Sequence, residues 1–398
     1  MKKTLLIILA AALASACCHK PMPRGNWSEA PYNALCKLMT ECGREAAEAG
    51  GNVNYAVFDY DNTTVLSDIE LATMQWQIEN LKFKFRPDEV TDLFSPYVPD
   101  LDIELKEAGA EGISARMLIE DIASSYRALV DAAGAGCGME IAPEKLAELR
   151  GMPEFDDFKT KFWALYEGDF ETFDYREAFF IIAAMFDGFT YTEVQALVAE
   201  AVNAQTAKGC VKDVVWESPD MGKAGKVRMI VPDGLALSAE MRNLYAALPR
   251  NGVDVYVFSA SLEAVVETMA CDPAFLGLDT AQVYAIRLRT DSTDFVLREY
   301  RKGYVRPYKE GKTEAIKALI QSRYDGRGPV LVAGDSEGDY SMLTSFDDMR
   351  VGLIVDKGQD TPGIGELRRQ AIEAEKSGAA CRYVLQRRDN AHAGFARE

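Results

Sequence analysis

Histidine is the scarcest residue in this chain: only two occur, His19 and His392, close to its two ends. Serine–histidine triads, cysteine–histidine proteases, histidine-rich zinc sites and phosphohistidine chemistry all need an imidazole as base, ligand or nucleophile. Those chemistries are therefore excluded from the body of the chain. An enzyme built on this sequence would use carboxylates as acid, base and nucleophile.

Basic residues are also in deficit, with 44 Lys and Arg against 62 Asp and Glu and a formal charge of -18. Such a field repels nucleic acid and anionic lipid surfaces, so we expect no nucleic acid or other polyanion as a partner. The 48% hydrophobic content is ordinary for a globular protein. A length of 398 residues predicts two or three domains, or one domain with a large insertion.

Long apolar runs are absent after the first residues, MKKTLLIILAAALASACC. Two lysines precede the apolar run Leu5–Leu13, which is far shorter than the ~20 residues of a membrane helix and is typical of a secretory signal. Ala14–Cys17 fits both a signal cleavage site and a bacterial lipoprotein box. We predict a signal peptide at 1–16 and an exported bacterial protein, periplasmic or membrane-anchored through a lipid on Cys17, with plain secretion as the alternative.

Cysteine is sparse and lacks the spacing of a metal site. No C-x-x-C pair occurs, so a zinc site is not expected and disulfide pairing stays open. After the two cysteines that follow the leader, six remain: Cys36, Cys42, Cys137, Cys210, Cys271 and Cys381.

Periodicity divides the rest of the chain into a sheet pattern interrupted by a helical one. An amphipathic helix is expected over Ala30–Ala49 and a buried strand over Asn54–Asp61. From Asp68 to about Gly225 we predict helices and no parallel-sheet strand. The expected helices are Ile69–Phe83, Ala115–Ala133, Pro143–Arg150, Phe155–Tyr166, Arg176–Phe186 and Thr192–Ala207.

Beyond Val227 the alternation of strands and helices returns. Strands are expected at Val253–Phe258, Val283–Leu288, Val330–Ala333 and Arg350–Val355, with helices at Ala236–Leu248 and Lys312–Ser322. The predicted fold class is therefore α/β, with one sheet split by a helical insertion. The predicted segments are 17–67 (lead helix and first core strand), 68–226 (insertion), 227–385 (remaining core) and 386–398, a polar tail expected to be frayed.

Polar residues follow three of the predicted strands. The first strand ends in V-F-D-Y-D-N-T-T, which gives Asp59, Asp61 and Thr63. Side chains two apart in an extended segment point the same way, so both carboxylates face one pocket. A D-x-D pair is common on surfaces, but ligands of open α/β sheets bind beyond the carboxyl ends of strands.

The other two strands end in V-Y-V-F-S-A-S and P-V-L-V-A-G-D-S-E-G-D. The first places Ser259 at a strand end, where a helix cap is its ordinary role. The second supplies Asp335 and Asp339, two acids suited to a divalent cation. Lys312 opens a helix, where a cation opposes the helix dipole, so we favour it over Lys309 as a site residue.

In chain order, D-x-D-x-T, then Ser, then Lys, then G-D-S-x-x-D resembles the four motifs of the haloacid dehalogenase superfamily of phosphotransferases, in its phosphoserine phosphatase branch. The resemblance covers about 54–356. It implies a Rossmann-like parallel-sheet core with a large helical cap inserted after the first motif.

The resemblance also implies roles for these residues. Asp59 would attack phosphorus and form an aspartyl phosphate, and Asp61 would protonate the leaving alcohol and later activate water. Ser259 and Lys312, with Thr63, would bind the transferred phosphoryl group.

A Mg²⁺ cofactor follows from the same likeness. Asp59, Asp335 and the Asp61 carbonyl would hold Mg²⁺, and Asp339 would complete the metal site by orienting its waters or Lys312.

The implied substrate is the phosphate monoester of a small alcohol, phosphocholine-like. Glu70 and inserted aromatics are the candidates for binding its head group, and the alternative roles are a solvated acid at a helix start for Glu70 and core packing for the aromatics. The aromatics considered are Trp76, Trp163, Tyr166, Tyr175 and Trp216. Two alternatives remain, a phosphoserine phosphatase and a catalytically inactive ligand-binding lipoprotein.

Overall fold

The structure is a computed structural model that describes residues 22–44, 48, 51–134 and 140–397. The predicted signal peptide at 1–16, Cys17, Cys137 and the side chain of Tyr175 lie outside the described residues. Within the described ranges, no helix combines the length and apolarity needed to span a membrane. The five cysteines in those ranges form no disulfide.

A seven-stranded sheet forms the core, in the order β11-β10-β9-β8-β1-β4-β5. Neighbouring strands run parallel except for the β10–β11 pair at one edge. The α/β class with a Rossmann-like core is thus confirmed. The strands are β1 Asn54–Phe58, β2 Lys212–Glu217, β3 Arg228–Asp233, β4 Val253–Leu262, β5 Val283–Ile286, β6 Leu288–Thr290, β7 Val296–Tyr300, β8 Leu331–Gly334, β9 Val351–Asp356, β10 Tyr383–Asp389 and β11 Gly394–Phe395.

Helices fill the chain between β1 and β2. The helix Ala115–Ala133 follows its sequence signals closely: it is capped by the Ser114 hydroxyl and ends at the left-handed Gly134. The described α-helices of this segment are Ile69–Glu79, Val90–Phe94, Ala115–Ala133, Pro143–Leu149, Pro153–Thr172, Tyr175–Met185 and Tyr191–Thr206. The remaining ones are Glu29–Cys42, Ala239–Arg250, Glu263–Ala270, Glu310–Leu319, Tyr340–Thr344 and Ile364–Ser377. The segment boundaries proposed from the sequence stay a prediction.

Strand β2 lies in the stretch where only helices were expected. It pairs with β3 as an antiparallel hairpin. Its side chains alternate between an exposed Val215 and a buried Trp216, and Trp216 packs against Trp163 at a ring distance of 5.7 Å. The sequence analysis identified strands by short continuous apolar runs, and a strand with one solvated face has no such run.

The expectation of a frayed tail at 386–398 is wrong for its described part. β10 joins the sheet beside β9. The Gln386 side chain is fully buried and accepts a hydrogen bond from the Ser28 amide at 2.8 Å, and Phe395 packs on Trp27 at 4.9 Å. The lead helix also ends earlier than expected, at Cys42, with Gly43 extended.

Candidate active site

The carboxyl ends of three neighbouring strands, β8, β1 and β4, meet at one edge of the sheet. A cavity of about 570 Å³ opens there. The inserted segment supplies its opposite wall. Among its lining residues are Asp59, Asp61, Asp68, Leu71, Tyr166, Glu167, Phe170, Phe173, Ser261, Lys312, Asp335 and Lys357.

Asp59 and Lys312 form the centre of the site. The Lys312 Nζ atom lies 2.5 Å from Asp59 Oδ1 and 2.7 Å from Asp339 Oδ1. Burial lowers the pKa of Lys312, but the two carboxylates outweigh it and raise the pKa above its usual range. Burial and the Asp339 charge raise the pKa of Asp59 well above its usual range, and Lys312 opposes them without cancelling the rise. Lys312 is therefore a firmly charged ammonium group beside Asp59.

Lys309, the competing lysine, points elsewhere. Its Nζ atom lies 3.2 Å from Asp174 Oδ2 at the rim of the cavity. Only Lys312 of the two contacts Asp59 in the described structure.

Asp339 fixes the loop that carries Asp335. Its Oδ2 atom accepts hydrogen bonds from the amides of Asp335 at 3.0 Å and Ser336 at 3.2 Å. A Cβ atom on Gly334 would lie 2.5 Å from the Asp339 Cβ atom, so this approach requires glycine. With its other oxygen on Lys312, Asp339 acts as a positioning residue.

Three buried carboxylates fit a divalent cation. Asp59, Asp335 and Asp339 each offer an oxygen within 4.8 Å of the others. The fully buried Thr63 hydroxyl lies 2.9 Å from Asp59 Oδ2 and 3.0 Å from Asp335 Oδ1. Lys357 is 2.7 Å from Asp335 Oδ2. Hard oxygen donors at this spacing suit Mg²⁺, and a cation there would favour the charged form of Asp59.

Asp61 has a different environment from Asp59. Its carboxylate accepts hydrogen bonds from the Ile69 amide at 2.7 Å, the Ser261 hydroxyl at 2.8 Å and the Ser259 hydroxyl at 3.1 Å. All three donors are neutral. Burial, followed by the negative charge of Asp68, raises the pKa of Asp61 to about 7. Its carboxylate is not among the three grouped oxygens of the metal cluster.

Two predicted phosphoryl-binding hydroxyls do not line the cavity. Ser259 is fully buried, donating to Asp61 and accepting from the Ser261 amide at 3.0 Å. Thr63 holds the two carboxylates described above. Ser261 lines the cavity instead. The V-F-S-A-S run contains both serines, and alternation along a strand gives them the same face without telling which one reaches the pocket.

Glu70 lies outside the cavity, which corrects its expected contact with a head group. It is 2% exposed, and its Oε1 atom accepts a hydrogen bond from the Leu262 amide at 2.9 Å. Asp68, two residues earlier, lines the cavity and caps the helix Ile69–Glu79. Burial, then the Glu70 charge, raises the pKa of Asp68 to about 7.

Of the aromatic residues that the sequence analysis considered for the head group, Tyr166 lines the cavity. Phe170 stacks on Tyr166 at 6.4 Å, one helical turn later. Glu167 adds a carboxylate, whose pKa is raised by burial and next by Glu171. The remaining described aromatics lie elsewhere: Trp163 and Trp216 pack on each other, and Trp76 packs against the hydrophobic core.

Arg388 was missed because it lies in the supposed tail. Its Nη1 atom donates to Asn62 Oδ1 at 2.9 Å. Asn62 follows Asp61 and has a left-handed backbone with φ of 61°. β10 therefore supports the loop between the first motif and the inserted segment.

Comparison with protein-family models gives no match, and comparison with curated proteins gives none either. Among solved structures, a protein of unknown function from Anaerococcus prevotii DSM 20548 is 26% identical with a TM-score of 0.83, covering 95% of this chain and 97% of that chain. The two chains share a fold over almost their whole lengths.

More distant structures include a phosphoserine phosphohydrolase-like protein from Francisella tularensis subsp. tularensis SCHU S4, 12% identical with a TM-score of 0.33, covering 79% of this chain and 92% of that one. Cytosolic 5'-nucleotidase IIIB bound to cytidine is also 12% identical, with a TM-score of 0.38 and coverage of 91% and 86%. Likenesses this loose carry no argument about the site.

Proposed function

We propose that this chain is a Mg²⁺-dependent phosphatase that hydrolyses phosphate monoesters of small alcohols through an aspartyl phosphate on Asp59. The observation that carries the proposal is the contact of Lys312 with both Asp59 and Asp339, next to Asp335, at the carboxyl ends of adjacent parallel strands. Burying these charges is costly, and Asp59, Lys312 and Asp335 line a cavity that can admit a ligand, which favours a catalytic role over a purely structural one.

In the first step, an Asp59 oxygen forms a bond to phosphorus as the bond from phosphorus to the alcohol oxygen breaks. Asp61 gives its proton to that departing oxygen. In the second step, Asp61 takes a proton from water, water oxygen bonds to phosphorus, and the bond from phosphorus to Asp59 breaks. Lys312 offsets the negative charge of the transferring group. Mg²⁺, held by Asp59, Asp335 and the Asp61 carbonyl, would add positive charge at the phosphoryl oxygens.

The surroundings of Asp61 support its double role. A group that both gives and takes a proton works best with a pKa near the working pH. Burial raises the pKa of Asp61 to about 7, so both forms are populated near neutrality. The three neutral donors orient the carboxylate without supplying a cation that would keep it charged.

For the substrate, we infer a cationic alcohol of the phosphocholine type. Tyr166 and Phe170 present aromatic surface, and Glu167 and Asp68 present carboxyl groups, on the cavity wall opposite the sheet. Aromatic faces beside carboxylates bind quaternary ammonium groups. The sequence motifs also resemble those of bacterial secreted phosphorylcholine phosphatases.

A phosphate-release panel with Mg²⁺ tests both levels of the proposal. It compares phosphocholine, phosphoethanolamine, phosphoserine, sugar phosphates and p-nitrophenyl phosphate. We expect release that is lost in Asp59→Asn and kept in Asp213→Asn, an exposed aspartate on β2. No release from any substrate would refute the phosphatase proposal, and a preference for phosphoserine would replace the choline-type substrate.

A further inference from the structure

A second cavity, of about 510 Å³, lies beside the catalytic one. Three residues, Asp174, Tyr308 and Lys309, line both cavities. They therefore form the wall between them, which we call the partition. The side of the second cavity away from the partition includes Arg176, Tyr300, Tyr304 and Arg306.

Hydrogen bonds close the partition. The Tyr308 hydroxyl donates to Asp174 Oδ1 at 2.9 Å, and Lys309 Nζ donates to Asp174 Oδ2 at 3.2 Å. Asp174 precedes the helix Tyr175–Met185 of the inserted segment, whereas Tyr308 and Lys309 precede the helix Glu310–Leu319 that carries Lys312. The partition thus joins the inserted segment to the core at the mouth of the proposed active site.

The core half of the partition is held in a defined conformation. Lys309 has a φ of 50°, in a region that is costly for a residue with a side chain. A Cβ atom on Gly311 would lie 2.1 Å from the Arg306 carbonyl oxygen, so the backbone there packs as closely as only glycine allows. The Arg306 guanidinium group lies 4.4 Å from the centre of the Tyr300 ring. The wall is therefore a built feature of the fold.

The far side of the second cavity carries both signs of charge. Arg176 and Arg306 line it together with Glu310 and Glu314. The lining therefore favours neither an anionic nor a cationic group, and the property that the partition can select is the length of the alcohol.

We propose that the partition sets the upper size of the leaving group. As built, it confines the substrate to the catalytic cavity and selects short alcohols. Opening it joins two cavities of similar volume and admits longer alcohols. The inference rests on the proposed phosphatase function and concerns its substrate range.

The test compares the wild type with Tyr308→Ala, which removes the wall, and Tyr308→Phe, which keeps its bulk. Substrates are phosphoethanolamine and hexyl phosphate, which differ in the length of the alcohol. We expect Tyr308→Ala to raise the ratio of kcat/KM for hexyl phosphate over phosphoethanolamine at least tenfold, with Tyr308→Phe close to wild type.

A second variant and a binding measurement test the partition if Tyr308→Ala does not fold or if turnover is absent. Lys309→Ser, at a partly exposed side chain, should shift the ratio in the same direction if Tyr308→Ala does not fold. Calorimetric titration with the phosphonate analogues of the short and long substrates reads size selection without turnover. An unchanged length preference in folded Tyr308→Ala, by kinetics and by binding, overturns the partition proposal. Absence of turnover in the wild type, with length-selective phosphonate binding, would instead overturn the phosphatase proposal alone.

Discussion

A buried ion cluster in the inserted segment provides the sharpest test of the structure. The Lys161 ammonium group is fully buried and lies 2.8 Å from Asp121 Oδ2 and 2.6 Å from Asp157 Oδ1. It also donates to the Met221 carbonyl at 2.7 Å. Lys161 is on the helix Pro153–Thr172, which carries Tyr166 of the cavity wall. We predict that Lys161→Met strongly destabilises the protein.

The size of the expected loss in stability follows from the hydrogen bonds that each carboxylate keeps when Lys161 is replaced. Asp121 still accepts from the Lys223 and Ala224 amides at 2.7 and 2.8 Å. Within the described residues, Asp157 keeps the Ser125 hydroxyl, at 2.6 Å, as its hydrogen-bond donor once Lys161 is removed. Removing one partner of a buried ion pair costs about 3 to 5 kcal/mol, because a charge is left without compensation. We expect a loss of that size in the free energy of unfolding.

The loss should depend on pH. Burial already raises the pKa of Asp157, and removing the cation raises it further. The folded variant then binds a proton that the unfolded chain, with an aspartate pKa of about 3.9, releases. The stability of the variant relative to the wild type should therefore recover as the pH falls from 8 towards 5. Adding Asp157→Asn to Lys161→Met should recover part of it at neutral pH.

Urea unfolding followed by tryptophan fluorescence measures these changes. The matched control is Lys145→Met, which breaks an exposed pair with Glu148 and should cost less than about 1 kcal/mol. A loss below about 1 kcal/mol for Lys161→Met, or a loss that grows on acidification, would refute the argument.

Three shorter predictions concern the site. Asp61→Asn should lower kcat/KM by about a hundredfold or more for alkyl phosphates and by much less for p-nitrophenyl phosphate, whose leaving group needs no proton. Equal losses for the two kinds of substrate in steady-state kinetics would exclude the acid role. Glu70→Gln should reduce kcat/KM for phosphocholine and p-nitrophenyl phosphate alike, because its carboxylate binds backbone and not substrate; a loss confined to phosphocholine would contradict this placement. Arg388→Gln should lower kcat about tenfold with little change in KM, because Asn62 loses its hydrogen bond to the guanidinium group. The control Arg387→Gln, at an exposed neighbouring side chain, should have no effect. Identical kinetics for the two variants would count against a positioning role for Arg388.

The sheet was largely predictable from the sequence because central parallel strands are buried on both faces. β1, β4, β8 and β9 therefore appear as short apolar runs with polar residues at their carboxyl ends. The same reasoning missed β2 and β10. β2 has one solvated face, and β10 carries polar side chains whose partners, such as Ser28 for Gln386, come from distant parts of the chain.

The sequence identified many of the residues of the site but did not show in which direction their side chains point. Lys312 was preferred to Lys309 because it stands at a helix start, and of the two it is the lysine that contacts Asp59 in the described structure. The sequence did not show that Asp68, and not Glu70, lines the cavity, since both residues follow the first motif. Asp68 caps the helix at the cavity, whereas Glu70 turns to the Leu262 amide of β4. That amide comes from a strand far along the chain, so no local pattern reveals the contact.

The two aspartates of the first motif show how the fold assigns chemistry to identical side chains. Alternation along an extended segment predicts that Asp59 and Asp61 face one pocket, and both line the cavity. The fold then separates them: Asp59 meets the charged Lys312, whereas Asp61 meets only hydroxyl and amide donors with Asp68 nearby. In the proposed mechanism, Lys312 counters the burial and the Asp339 charge that raise the pKa of Asp59, whereas burial without a cation keeps a proton on Asp61 available for transfer. Under that proposal, exchanging the two roles would require moving Lys312, because a neighbouring cation, and not the place in the motif, favours the anionic form that attack needs.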